Sequence, residues 1–330
     1  MEKIITIRRV NMLFITNRSP RGSIRTKKGR VYKFDLNKNS PSNSIYCCER
    51  LGKDSYIEIG SDGLMSRLKE NKAKQILLFI HGFSNLPEPD IFPKAIKLQK
   101  YFDSKEPNLI EVVPLVWPCD NDFGIVKDYW DDQKSADKSA FSFSRALQFF
   151  MAWRDKAPED SPCLKRINIL AHSMGNRVFR ETLSVWNKYD LANGVPLLFR
   201  NTILMAADIV NESLEDEEEG LLISQASRNV SVYYASDDLA LRSSKISNLK
   251  NKVASRRLGH TGPEDMKKVQ ANVYAIDCDN FNNKYDSPKG HSYFLDDGNN
   301  EIGLVFEHMF NTIKTGRVLI DDDKDRKHIL

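Results

Sequence analysis

Ser173 stands in Ala171-His172-Ser173-Met174-Gly175, directly behind the apolar run Ile167-Asn168-Ile169-Leu170 and ahead of a helix-compatible segment, residues 176–188. A serine between small residues at a strand end fits a nucleophile elbow. The sharp strand-to-helix turn lifts the hydroxyl above the sheet edge, and small side chains two before and two after keep the turn free of clashes. Ala171 occupies a position more often held by glycine. A serine hydroxyl is a weak nucleophile at neutral pH, so this chemistry needs a base to take its proton and a group to orient the base.

Six histidines are available. His172 lies inside the elbow and is expected to point away from the serine. His81 precedes the glycine of an expected oxyanion loop, His260 falls in a loop, His308 in the last helix and His328 in the tail. His291, in Lys289-Gly290-His291-Ser292-Tyr293, follows the last predicted strand and precedes the last helix. That is where the hydrolase chain order of serine, acid, histidine puts the base. The acid then belongs after a strand between residues 173 and 291, and Asp208, Asp237 and Asp238 qualify. Pattern alone does not choose, because an aspartate after a strand also suits a helix N-cap. The backbone N–H groups of Met174 and Phe83 are the expected oxyanion donors. Trp117, Phe123, Tyr129 and Trp130 follow the neighbouring strand; they could line an apolar acyl pocket, Trp117 and Tyr129 foremost, or cover the sheet edge. Metal, P-loop and dinucleotide spacings do not occur, so neither a metal nor an organic cofactor is expected.

The elements that must position these residues read as strand and helix in alternation from residue 75 onward. Apolar runs at 75–80, 109–117, 167–170, 202–205, 230–234 and 272–276 are predicted strands. Helices are predicted over 140–153, with Phe141, Leu147, Phe150 and Met151 as core candidates, and over 302–313. Buried strands alternating with helices indicate a mostly parallel sheet covered on both faces. Ligands in such sheets sit beyond the carboxyl ends of the strands, which is where His81, Ser173, Asp208 and Asp238 all fall. Residues 1–60 read as edge strands, at 10–16 and 55–59, around a polar loop at 37–43. The acidic run at 212–219 reads as a solvated helix start.

The chain has 330 residues, 41% of them hydrophobic, enough for one large α/β domain over residues 1–316 with a charged tail at 317–330 that is expected to fray over 321–327. A net charge of +4, from 49 basic and 45 acidic side chains, does not suggest a nucleic-acid binder. The five cysteines form no CxxC pair and are expected as reduced thiols. With no apolar run of membrane-spanning length and no signal-peptide core, a soluble cytoplasmic protein is expected.

Several stretches resemble the DUF900-type branch of the α/β-hydrolase superfamily. They are His81-Gly82-Phe83, the elbow itself, Thr16-Asn17-Arg18 at the end of the first strand, and Val116-Trp117-Pro118. Further matches are Tyr129, Asp132, Ser135 and Ala136, then Tyr234 to Leu241, Arg257-Leu258-Gly259 and Gly290-His291-Ser292-Tyr293. The resemblance runs from about residue 10 to about 315 and implies an α/β-hydrolase fold. In that branch's D-x-A-L segment the aspartate falls on Asp238, which makes Asp238 the implied acid and Asp208 the runner-up. The acidic run and the loop at 279–289 depart from the branch. The expected activity is hydrolysis of a small-molecule or lipid-like carboxylic ester, or of a thioester, through Ser173, His291 and Asp238. An acyltransferase or peptidase on the same residues, and a non-catalytic binding module, are the alternatives.

Overall fold

A computed structural model describes residues 11–119, 125–156, 158, 161–242, 256–321 and 324–330. Eleven strands form its centre: β1 (Met12–Arg18), β2 (Val31–Tyr32), β3 (Pro41–Gly52), β4 (Ser55–Glu58), β5 (Gln75–Ile80), β6 (Ile110–Val116), β7 (Arg166–His172), β8 (Phe199–Met205), β9 (Ser227–Tyr234), β10 (Val273–Asp277) and β11 (Lys327–Ile329). They make one sheet in the order β11-β10-β9-β8-β7-β5-β6-β1-β3-β4-β2. The strands from β11 to β1 are parallel, and β3, β4 and β2 complete the edge antiparallel.

The apolar sequence of β5, Gln-Ile-Leu-Leu-Phe-Ile, explains why helices lie on both faces. Side chains alternate across a strand. Leu77 and Phe79 join the core under α2 (Phe92–Lys105) and the C-terminal helix Leu304–Thr315. Ile76 and Ile80 join the opposite core, under α1 (Gly60–Glu70), α3 (Ile125–Asp155) and α4 (Gly175–Asp190). A strand buried on both faces has no polar side to alternate with, hence its continuous apolar run. At the amino ends of the central strands, buried amides form a ladder: Asn229 donates to Asn201 (2.9 Å) and Asn201 to Asn168 (2.8 Å). Gln75 and Asn229 also donate to the Ile313 and Gly316 carbonyls, tying the C-terminal helix to the sheet. A satisfied buried network of this kind fixes register as well as adding stability.

The structure departs from the sequence reading at several points. β2 and β3 are additional strands, and β3 begins inside the expected polar loop. The acidic run folds into turns in which Ser213, Leu214 and Glu215 are buried, and the helix there begins only at Leu221. The last residues of the tail, 326–330, are held rather than frayed: β11 pairs with β10, because Leu330 and the neighbouring backbone find hydrogen-bond partners on that open edge. Phe141, expected in the core, is 52% exposed, since it lies on the solvent side of a helix whose apolar stripe passes through Phe143 and Leu147. No helix of the described residues is long and apolar enough to cross a membrane.

Candidate active site

β7 ends at His172 and α4 begins at Gly175, so Ser173 and Met174 make the whole turn. Ser173 has φ +54°, in the left-handed region. A non-glycine residue there costs about 1–3 kcal/mol and persists only where its surroundings impose it. Here they do. The Ser173 N–H donates to Met205 O at the end of β8 (3.0 Å), and the Asp208 N–H donates to Ser173 O (3.2 Å). Asn176 Nδ2 donates to the carbonyls of Ala171 (3.0 Å) and Ser173 (2.9 Å).

The turn also needs small neighbours. A Cβ on Gly175 would lie 2.5 Å from Ile80 O and 2.7 Å from His81 O, and one on Gly82 would lie 2.9 Å from Ser173 Cβ. Backbone carbonyls cannot rotate aside as a side chain can. Gly175→Ala is therefore expected to cost about 1–3 kcal/mol of stability, the usual penalty of overpacking. A thermal melt checks this, and an unchanged melting temperature would mean that the elbow relaxes freely.

His291 and Asp238 come together from distant parts of the chain. His291 Nδ1–H donates to Asp238 Oδ2 at 2.6 Å, both side chains being buried. Asp238 Oδ1 accepts the Leu241 N–H at 3.0 Å, which fixes the carboxylate plane. With Nδ1 committed as a donor, Nε2 of the neutral ring is the acceptor. Burial alone would push the His291 pKa down. The charge and hydrogen bond of Asp238, with the charges of Asp208 and Asp286, outweigh it, and the net direction is up.

The His291 loop is built rigidly. Gly290, at φ +61°, leaves no room for a Cβ, which would meet Asn283 Oδ1 at 2.4 Å. Asp286 Oδ2 accepts the N–H groups of His291 (2.8 Å) and Ser292 (2.7 Å). Asp237, the third candidate acid, accepts from the side chains of Asn282 and Asn283 and so clamps this loop instead of meeting the imidazole. Residues 279–289 therefore position His291. Asp208 has other partners: it pairs with Arg257 at 3.2 Å and accepts the Tyr129 hydroxyl at 2.9 Å, all three side chains being buried.

His172 does not point away from the site. Its ring lies 4.8 Å from that of His291 and 5.0 Å from that of Phe294, and Nε2–H donates to His291 O at 3.1 Å. Burial holds its pKa well below the ordinary value, so it is a neutral shelf under His291. Sequence alone could not show this, because which face a residue takes depends on the register of β7 in the sheet.

The loop after β5 is held by a second neutral histidine. Burial pushes His81 down to about 3. Its Nδ1–H donates to Gly82 O (2.8 Å), and Nε2 accepts the Trp117 N–H (3.1 Å). The Trp117 indole stacks on it at 5.1 Å and donates Nε1–H to His81 O (2.8 Å). Trp117 is wholly buried beneath the loop and meets no solvent. Asn85 Nδ2 donates to Phe83 O at 2.6 Å, and Ser84 N–H to Asp132 at 3.1 Å. Among the described residues no backbone carbonyl takes up the Phe83 or Met174 N–H. The Tyr129 ring meets Phe83 edge-on at 5.6 Å. Trp130 is half-buried, and Phe123 lies outside the described residues. Among the described residues no group of three or more His, Cys, Asp or Glu side chains could hold a metal ion.

The strand order, and the parallel winding with helices on both faces, define the class: this is an α/β-hydrolase fold. Within that class the chain belongs to the family described as alpha/beta hydrolase of unknown function (DUF900), whose match spans residues 60–306. Two solved structures of phospholipase PlaB from Legionella pneumophila are similar in part, each at 14% identity. One, in complex with thio-NAD, gives a TM-score of 0.27 over 62% of this chain and 37% of that one. The other gives 0.29 over 65% and 41%. The chain thus spans less than half the length of those proteins. No curated protein matches it.

Proposed function

We propose that this protein is a serine hydrolase that cleaves a carboxylic ester of a small molecule or lipid through an acyl-enzyme. Two observations support the reading: the strained turn at Ser173, and a buried His291–Asp238 pair whose imidazole lies 4.8 Å from the ring of His172, the residue before that serine. Strain at a non-glycine residue that the surrounding hydrogen bonds enforce is characteristic of functional positions.

In this reading Ser173 Oγ attacks the carbonyl carbon while His291 Nε2 takes its proton. Asp238 keeps the proton on Nδ1 in the resting state and stabilises the imidazolium that forms. The Phe83 and Met174 N–H groups receive the oxyanion. The imidazolium then protonates the departing alkoxide, leaving an ester on Ser173. Water, deprotonated by the same Nε2, attacks that ester and releases the acid. Phe83 and Tyr129 form the aromatic wall beside the reacting carbonyl, with Trp117 fixing the loop from below. Asp208 acts through Arg257 and Tyr129 on the surroundings and is not the orienting acid. The five cysteines, four of them buried, form no disulfide among the described residues, which fits a reducing compartment, and we assign the protein to the cytoplasm.

The test is a panel of p-nitrophenyl esters of increasing chain length, assayed with wild type and Ser173→Ala. Turnover lost in the variant supports the reading, and equal turnover refutes it. The pH dependence provides a second check. The base works only when neutral, and its pKa is raised, so the acid limb of kcat/KM is expected above the ordinary histidine value of about 6.5. A limb below that value would contradict the coupling to Asp238. The stability sign is opposite: a raised folded-state pKa stabilises the fold at pH below the unfolded value, and this contribution disappears as pH rises through the folded value.

A further inference from the structure

We propose that the outer face of α3, with the basic loop at residues 21–28 and the end of α4, docks the protein on an anionic lipid surface. Four large apolar side chains on this side are mostly in solvent: Ile24 (58%), Phe141 (52%), Phe149 (53%) and Tyr189 (63%). Phe141, Arg145 and Phe149 are four residues apart on α3 and share one stripe, with Lys138 three residues before it. The Phe141 ring meets that of Tyr189 at 6.1 Å, which continues the stripe onto α4. Single exposed apolar residues are ordinary, whereas a contiguous group marks a contact surface.

Cations are set among these rings. Arg21, Arg25, Lys27 and Lys28 occupy the exposed loop, Lys138 and Arg145 lie on α3, and Lys188 lies beside Tyr189. Among the described residues none of the seven pairs with a carboxylate; Lys134, at the edge of the face, is 3.5 Å from Asp131. Loop and helix form one surface: Arg145 Nη1 donates to Asn43 O (2.9 Å), Tyr46 OH donates to Ile24 O (2.6 Å), and Lys28, Arg145 and Phe149 line a common concavity of about 500 Å³. Glu58 and Asp62 in that concavity and Asp190 next to Tyr189 are acids nearby, and Glu58 is already paired with Arg30 at 2.6 Å. This leaves a local excess of positive charge on a chain whose total is only +4. Aromatic and aliphatic tips interleaved with unpaired lysine and arginine match the lipid interface, where rings sit at headgroup depth and cations meet phosphates. Nucleic acid would use the same cations but has no use for Ile24.

The test is co-sedimentation of the full chain with phosphatidylcholine vesicles, with and without phosphatidylglycerol. The Ser173→Ala form is used so that no lipid is consumed; binding does not depend on the proposed hydrolysis. Binding is expected only when phosphatidylglycerol is present, and it should weaken as salt rises. Combined Lys28→Glu, Lys138→Glu and Arg145→Glu should weaken it about ten-fold or more. Phe141→Ser with Phe149→Ser should weaken it several-fold with no change of charge. Unchanged melting temperatures show that both variants fold, and if either unfolds, Lys138→Gln with Phe149→Ser replaces it. Equal binding to both vesicle types, no binding, or tighter binding to double-stranded DNA that ignores the phenylalanines would overturn the proposal.

Discussion

With Ser173 replaced by alanine, ester turnover is expected to fall by about 10⁴- to 10⁶-fold while the protein stays folded. The reason is local. Ser173 contributes its backbone to the Met205 and Asp208 hydrogen bonds, and alanine preserves both, so the lost hydroxyl alone carries the effect. Ser173→Gly separates the two roles of this position further. Glycine adopts φ +54° without steric cost, so this variant should be as inactive as Ser173→Ala yet more stable, by about 1 kcal/mol. Stability gained where activity is lost is the signature of strain held for function. Activity surviving in either variant would remove Ser173 from the chemistry.

Asp238→Asn is expected to lower kcat by about 10⁴-fold. The amide can present Nδ2–H to His291, which turns the ring nitrogen facing it into the acceptor and leaves the proton on Nε2, where the base must be free. The lost carboxylate charge also allows burial to dominate His291, so the acid limb should move to lower pH. Asp208→Asn should behave differently. It leaves Arg257 buried without its carboxylate, a defect that typically costs about 3–5 kcal/mol. Its mark is therefore a large fall in melting temperature, with the catalytic proton transfer preserved in the protein that remains folded. If Asp208→Asn abolished kcat in folded protein while Asp238→Asn did not, the assignment of the two acids would be reversed.

How much of this could be read from the sequence differs by element. The central strands were legible because double burial writes itself as an apolar run, nearly unbroken in β5 and confined to Ile203-Leu204-Met205 in β8. The Ser173 turn was legible because steric demand dictates small residues at fixed offsets. The antiparallel edge was hidden: β3 mixes polar residues with Tyr46, Cys47 and Cys48, and its pairing with β1 is a tertiary fact. Local pattern also could not separate Asp208, Asp237 and Asp238, since all three follow strands. What distinguishes them is which cation, amide or imidazole the folded chain brings opposite: Arg257, Asn282 with Asn283, and His291 respectively. The exposed side of α3 eluded the reading because an aromatic residue in a helix is a core residue by default, and only the packing of α4 reveals Phe141 on the outside.

The most direct measurement is active-site labelling with a fluorophosphonate, followed by mass spectrometry of the modified peptide. A phosphonylated Ser173 is expected, at one label per chain, with labelling abolished by Ser173→Ala and strongly slowed by His291→Ala. Folded protein that takes up no label, or takes it up at another serine and keeps doing so without the Ser173 hydroxyl, would contradict the account.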